Sequence, residues 1–132
     1  MSTMRPLHLL LIEDDPDSAD AMGLLLRIRG VDVDVVGSGK EAVEFFRRGR
    51  ARTVDVILLD LMLPDTDGAS LVGQLSQIAP VPPIVIHSAG SEARMARTGA
   101  QVNAIAILRK PTDWGKLLTL LEGYRPVEGA VD

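Results

Sequence analysis

The sequence has no cysteine among its 132 residues, which excludes disulfides, thiolate metal sites and thiol nucleophiles. Aromatic residues make up only 3% of the chain, so a hydrophobic core has to consist mostly of Leu, Ile, Val, Ala and Met. The apolar run in MSTMRPLHLLLIEDD is too short for a signal peptide or a membrane span. The net charge of −4 argues against a broad surface for nucleic acid or anionic lipid. These absences predict a cytoplasmic protein without membrane contact or direct nucleic acid binding.

The apolar content of 46% is high enough to build a core, which argues against disorder. A chain of 132 residues suits one domain and leaves little room for a second. We expect residues 5–125 to form that single domain and residues 126–132 to form a loose C-terminal tail.

Short apolar runs alternate along the chain with segments of helical period. The runs are residues 7–12, 31–36, 54–59, 84–87 and 104–108, and the predicted helices are residues 16–29, 39–48, 69–78, 91–98 and 113–124. Gly99 is expected to close the fourth helix. Strands that alternate with helices predict a doubly wound α/β fold, a parallel sheet with helices on both faces. The second run, VDVDVV, alternates in polarity, which favours an edge strand.

Polar and charged side chains follow four of the five predicted strands. They are Glu13, Asp14 and Asp15 after the first, Asp60 after the third, His87 and Ser88 at the end of the fourth, and Arg109 and Lys110 after the fifth. The carboxyl ends of parallel strands lie on one edge of a sheet, where open α/β sheets bind their ligands. We therefore expect these side chains to meet.

The chemistry of this set is consistent. Several carboxylates around one point need a cation, and oxygen ligands without Cys or His favour Mg²⁺ over zinc. A carboxylate beside such an ion can attack a phosphoryl group, while a lysine and a hydroxyl stabilise the phosphoryl oxygens. The residues thus predict that Asp60 accepts a phosphoryl group.

Four segments carry a family resemblance: LLLIEDDP, DVILLDLMLPDTDG, IVIHSAG and ILRKPTD. In this order and spacing they resemble the receiver domains of bacterial two-component response regulators, which are CheY-like. The resemblance covers about residues 7–124 and implies a five-stranded parallel sheet of order 2-1-3-4-5. It also implies a phosphorylation-controlled switch that signals by protein–protein contact, with no enzymatic activity beyond self-phosphorylation and autodephosphorylation. The implied partners are a sensor histidine kinase or phosphotransfer protein and a downstream protein target.

The resemblance also implies a role for each site residue. Asp60 is the phosphoacceptor, Glu13 and Asp14 organise Mg²⁺, Met62 offers its backbone carbonyl to the metal, Ser88 takes the Ser/Thr switch position, and Lys110 contacts the phosphoryl group. The Lys110–Pro111 bond is often cis in the family, and an X-Pro bond is the kind that adopts cis at low cost.

One position departs from the family pattern. Ile107 stands where the family often has a rotating Tyr or Phe, so a coupled rotation of that aromatic with Ser88 cannot operate here. This keeps open an alternative, a pseudo-receiver that is not phosphorylated and binds a partner constitutively. A third hypothesis, a haloacid-dehalogenase-like phosphatase, is disfavoured because Met62 stands where such enzymes need a second Asp.

Several nearby residues have simpler interpretations. Asp15 directly precedes Pro16, so we expect it to cap the first helix. His8 and His87 are expected to be structural, with His87 pointing to the opposite face of its strand from Ser88. Trp114 is consistent with either a core residue or a partner contact.

Overall fold

Five strands form one parallel sheet in the computed structural model, which describes residues 3–124 and 127–128. The strands in chain order are β1 (Thr3–Met4), β2 (His8–Ile12), β3 (Asp32–Val36), β4 (Val56–Leu59), β5 (Ile84–Ser88), β6 (Ala106–Arg109) and β7 (Val127–Glu128). The sheet order is β3-β2-β4-β5-β6, and every neighbouring pair is parallel. Counted within this sheet the order is 2-1-3-4-5, as predicted. The two-residue strands β1 and β7 pair separately and antiparallel.

Five α-helices connect the strands. They are α1 (Pro16–Ile28), α2 (Gly39–Arg47), α3 (Gly68–Ser76), α4 (Glu92–Val102) and α5 (Trp114–Glu122), with a 3₁₀ helix at Arg50–Thr53. Each α-helix begins after a side chain that accepts a hydrogen bond from a backbone N–H of its first turn; these caps are Asp15, Ser38, Asp67, Ser91 and Asp113. The predicted capping role of Asp15 is confirmed. None of the helices in the described part of the chain is long and apolar enough to cross a membrane.

The core has two layers, one on each face of the sheet. Alternate side chains of the strands pack with α2, α3 and α4 on one face, and with α1 and α5 on the other. All four residues of β4 are buried, as a central parallel strand requires. β3 lies at the edge of the sheet and is half-exposed, in agreement with its alternating sequence.

The predicted end of the fourth helix is wrong. α4 continues through Gly99 and ends at Val102, and the following cap residue, Asn103, has a left-handed backbone with φ of 54°. Gly99 instead gives room to a neighbouring strand, because a Cβ there would lie only 2.8 Å from Cδ1 of Ile107 and that side chain would have to shift. A glycine that makes room for a neighbour was thus misread as a helix stop.

Other predicted boundaries shift by a few residues. The third helix ends at Ser76 rather than at Ile78, and Ile78 is 36% exposed. Most of the predicted tail, residues 126–132, lies outside the described residues; Val127–Glu128 is described only as strand β7.

Candidate functional site

The carboxyl edge of the sheet, where β2, β4, β5 and β6 end, brings the predicted polar residues together. The backbone fixes their register there: the Asp60 N–H donates to the Ile12 carbonyl at 3.0 Å, and the Lys110 N–H donates to the Ser88 carbonyl at 3.0 Å. Glu13, Asp60 and Ser88 are buried. Polar groups buried in this way need partners inside the protein.

Lys110 supplies the partner for two of the carboxylates. Its Nζ lies 2.9 Å from Oδ2 of Asp60 and 2.5 Å from Oε1 of Glu13. The second oxygen of Asp60, Oδ1, accepts a hydrogen bond from the Met62 N–H at 2.8 Å. Charge-assisted hydrogen bonds of this kind offset much of the cost of removing the ions from water.

The same contacts set the protonation states of the three groups. Burial raises the pKa of Asp60, but hydrogen bonds with Glu13, Lys110 and the Met62 N–H outweigh it, so this pKa lies below its ordinary value. Burial raises the pKa of Glu13, a hydrogen bond with Asp60 raises it further, and the hydrogen bond from Lys110 offsets only part of this rise. Burial lowers the pKa of Lys110, but its bonds to both carboxylates leave it raised. Asp60 therefore loses its proton more readily than Glu13, and its carboxylate faces the ammonium of Lys110.

A cluster of carboxylates that could hold a cation lies beside this contact. Glu13, Asp14 and Asp60 each offer a carboxylate oxygen, and these three atoms lie within 4.8 Å of one another. Two of the carboxylates are buried and Asp14 is exposed, so the cluster opens to solvent on the Asp14 side. Three carboxylates can carry more negative charge than the single ammonium of Lys110 neutralises. A set of oxygen ligands with open coordination positions fits Mg²⁺.

Asp15 belongs to a different structure from its acidic neighbours. Its Oδ2 accepts hydrogen bonds from the Ser18 N–H at 3.1 Å and from the Ser18 hydroxyl at 2.6 Å. Hydrogen bonds from the Ser18 hydroxyl and N–H hold the pKa of Asp15 below its ordinary value. The acidic run thus divides into a candidate cation site, with Glu13 and Asp14, and a helix cap at Asp15.

The side chains of Ser88 and Met62 both lie close to Gly90. The Ser88 hydroxyl oxygen accepts a hydrogen bond from the Gly90 N–H at 3.3 Å. The Met62 side chain is 49% exposed, and its sulfur lies 3.7 Å from a guanidinium nitrogen of Arg94 on α4. Arg94 was not among the predicted site residues, since nothing in the sequence relates α4 to residue 62.

His87 points away from Ser88, as the alternation along β5 predicts. Its Nε2 is hydrogen-bonded to the hydroxyl of Thr112, just before α5. With Met22 and Trp114 it lines a cavity of about 490 Å³ between α1 and α5. Two features of the sequence relate to this contact: a histidine at a strand end, and a threonine two residues after Lys110.

Comparison with known proteins agrees with this geometry. The family described as "Response regulator receiver domain" matches residues 9–122. The transcriptional regulatory protein GlrR of Escherichia coli is 31% identical over 128 residues, covering 97% of this chain and 27% of GlrR. The sensory transduction protein RegX3 of Mycolicibacterium smegmatis is 36% identical over 102 residues, covering 77% of this chain and 43% of RegX3. The chain therefore spans less than half the length of these relatives.

Solved structures show the same architecture. A CheY-like response regulator receiver domain from Methylobacillus flagellatus superposes with a TM-score of 0.77 at 28% identity, covering 91% of this chain and 99% of that one. The BeF₃-activated receiver domain of RstA from Klebsiella pneumoniae gives a TM-score of 0.75 at 28% identity, covering 89% and 97% of the two chains. Since a family match spans most of the sequence and the site occupies the expected edge of the expected sheet, the chain belongs to the response regulator receiver domain family of two-component systems.

Proposed function

We propose that Asp60 accepts a phosphoryl group, in the presence of Mg²⁺, from a sensor histidine kinase, a phosphotransfer protein or a small phosphodonor. The observation that carries this proposal is the contact of Lys110 Nζ with Oδ2 of Asp60 at 2.9 Å, beside an acidic cluster suited to a divalent ion. A bound Mg²⁺ supplies positive charge for phosphoryl oxygens. The carboxylates of Glu13, Asp14 and Asp60 and the backbone carbonyl of Met62 would hold the ion.

In the transfer, a carboxylate oxygen of Asp60 attacks phosphorus and forms an acyl phosphate as the bond from phosphorus to the donor breaks. The donor leaves with the bonding electron pair. Lys110 and the hydroxyl of Ser88 hold the equatorial oxygens, which carry the developing charge. To return the domain to its unphosphorylated state, water attacks the phosphorus of the acyl phosphate. Phosphate is released and the Asp60 carboxylate is regenerated. We propose no further enzymatic activity.

The phosphoryl group adds negative charge and acceptor oxygens at one end of the sheet, which Lys110 and Ser88 can recruit. The signal leaves through contact with a downstream protein, by way of α4, β6 and α5. In the described structure α4 and β6 are joined by an ion pair of 2.9 Å between Glu92 and Arg109 and by the packing of Ile107 on Gly99.

We assign this role to a single domain of residues 5–125 in the cytoplasm, without direct nucleic acid binding by this domain. The net charge of −4 supports the last point. Curated relatives named as transcriptional regulators extend well beyond the matched part, so a DNA-binding role of theirs need not reside in it.

The alternative function is a pseudo-receiver that binds its partner without phosphorylation. Ile107 supports it, because this side chain is 41% exposed at the position of the usual switch aromatic and lies against Gly99 of α4. An aliphatic side chain placed in this way keeps α4 and β6 in contact without a rotating ring.

Self-labelling separates the two functions. The chain is incubated with acetyl phosphate, with and without Mg²⁺, and its intact mass is measured. We expect the wild type to gain one phosphoryl group only with Mg²⁺, Asp60→Asn to gain none, and the exposed-acid control Asp17→Asn to behave like the wild type. An unlabelled wild type would favour the pseudo-receiver, and equal labelling of Asp60→Asn would overturn the site.

A further inference from the structure

A buried histidine stands next to the site without belonging to its acidic cluster. His87 is the penultimate residue of β5, is 1% exposed, and faces α1 and α5. Its Nε2 is hydrogen-bonded to Oγ1 of Thr112, whereas Nδ1 has no partner within the described part of the chain. An imidazole is costly to bury in a parallel strand, where an aliphatic residue is the usual choice.

The histidine's partner lies in the segment that carries the site lysine. Residues 110–112 are held at two points on β5: the Lys110 N–H donates to the Ser88 carbonyl at 3.0 Å, and the Thr112 hydroxyl binds His87. His87 and Ser88 are neighbours, so both anchors stand at the same strand end. The end of β5 thus fixes the backbone on both sides of Pro111.

Fixing this backbone matters because the lysine side chain is long. Nζ of Lys110 has to reach Asp60 and Glu13 at 2.9 and 2.5 Å, and each rotatable bond gives it other positions to occupy. If residues 110–112 are held at both ends, the Cα of Lys110 has fewer positions available. Its side chain then reaches Asp60 more often in the geometry that phosphoryl transfer needs.

The charge state of the imidazole suits this role. Burial lowers the pKa of His87 to about 4, and the nearby positive charge of Lys110 lowers it in the same direction. The ring is therefore neutral at neutral pH. It can bind the Thr112 hydroxyl without placing a second cation near the lysine.

We propose that His87 and Thr112 are positioning residues, which hold residues 110–112 so that Lys110 stays directed at Asp60 during phosphoryl transfer. This inference rests on the proposed function, since it concerns the rate of labelling at Asp60. Neither residue takes part in a covalent step.

The test removes each half of the contact and measures the rate of labelling by acetyl phosphate at saturating Mg²⁺. His87→Leu removes the ring nitrogens and keeps an apolar side chain, and Thr112→Val removes only the hydroxyl. We expect each to slow labelling on the order of tenfold, below the hundredfold that a 1 Å misplacement can cost. The double variant should be no slower than either single one, because both changes break one contact.

Three controls separate positioning from general destabilisation. Thr112→Ser keeps the hydroxyl and should recover most of the rate. Thr119→Val makes the same change on the exposed face of α5 and should leave the rate unchanged. His8→Leu removes a histidine that contacts Thr53 and Asp34 at the amino end of β2, far from the carboxyl ends that form the site. This variant should be less stable, but its folded fraction should be labelled at the wild-type rate.

Each outcome has a distinct meaning. If the wild type is labelled and Thr112→Val is labelled as fast, the positioning role is wrong and the proposed function stands. If the single effects multiply in the double variant, the two residues act separately and the shared contact is refuted. If the wild type is not labelled at all, the proposed function fails and the positioning role fails with it.

Discussion

The ammonium of Lys110 lies 2.9 Å from Oδ2 of Asp60, although 50 residues separate them along the chain. The same nitrogen lies 2.5 Å from Oε1 of Glu13, 97 residues away. Three loops that follow three different strands are thus joined by one cation. The contact has a structural consequence as well as a chemical one, because Asp60 and Glu13 are both buried and lose their main positive partner if the lysine is removed.

We therefore expect Lys110→Met to reduce the rate of labelling at Asp60 by roughly a hundredfold, the typical cost of losing one group that stabilises transition-state charge. The variant should remain folded, since methionine retains most of the aliphatic stem. The measurement is the initial rate of mass gain with acetyl phosphate and Mg²⁺, with circular dichroism as the check on folding. Wild-type rates in a folded variant would refute the role of Lys110.

Substitutions of the neighbouring residues Asp14 and Asp15 should have different effects. Asp14→Asn removes an exposed carboxylate of the cation cluster, so we expect weaker Mg²⁺ binding and loss of Mg²⁺-dependent labelling. Asp15→Ala removes the cap of α1, so we expect a lower melting temperature with Mg²⁺ affinity close to that of the wild type. Mg²⁺ titration and thermal unfolding of both variants provide the comparison. A larger loss of Mg²⁺ affinity in Asp15→Ala would reverse the assignment.

Two glycines provide a matched test of packing near the site. A Cβ at Gly39, the first residue of α2, would overlap Cγ2 of Thr66, and the N–H of Gly39 donates to Asp65 at 2.9 Å. Gly39→Ala should therefore lower the free energy of unfolding by about 1–3 kcal/mol, the usual cost of overpacking. Gly73 lies in α3 with nothing within 4 Å of a new Cβ. Gly73→Ala should raise the free energy by up to about 1 kcal/mol through helix propensity.

Urea unfolding measures both changes. If Gly39→Ala were more stable than the wild type, the Thr66 side chain in the loop after β4 would have to move away from the new methyl group at little cost. The contact between that loop and α2 would then not be tightly packed.

The depressed pKa of His87 predicts a loss of stability in acid. Burial holds this pKa at about 4 in the folded chain, against 6.5 for the free side chain. Between these two pH values the unfolded state binds the extra proton, so stability falls as the pH is lowered from 6.5 to 4, by at most about 3.4 kcal/mol. The stability of His87→Leu relative to the wild type should therefore rise as the pH is lowered from 6.5 to 4.

Unfolding of both chains at several pH values between 7 and 4 tests this. A constant difference between them would show that His87 has the same affinity for protons in the folded and unfolded states.

The sequence predicted the sheet and the meeting of Asp60 with Lys110 because both follow from one rule: charged residues that end parallel strands share an edge. The capping role of Asp15 was also predictable, because a cap acts on its own helix within three residues. The contact of His87 with Thr112 was not, because it depends on how β5 and the loop before α5 are positioned in space. Gly99 was misread for the same reason: its role is set by Ile107, a neighbour on another strand, and not by its own segment.

The central claim is that the phosphoryl group is carried by Asp60, and the bond itself can be located. An acyl phosphate is reduced by borohydride, which converts the labelled aspartate to homoserine. We predict that peptide mass spectrometry of the chain, labelled with acetyl phosphate and Mg²⁺ and then reduced, finds homoserine at position 60. The reduced alcohol at another position, homoserine from an Asp or 5-hydroxynorvaline from a Glu, with residue 60 unmodified in a labelled chain, would contradict the account.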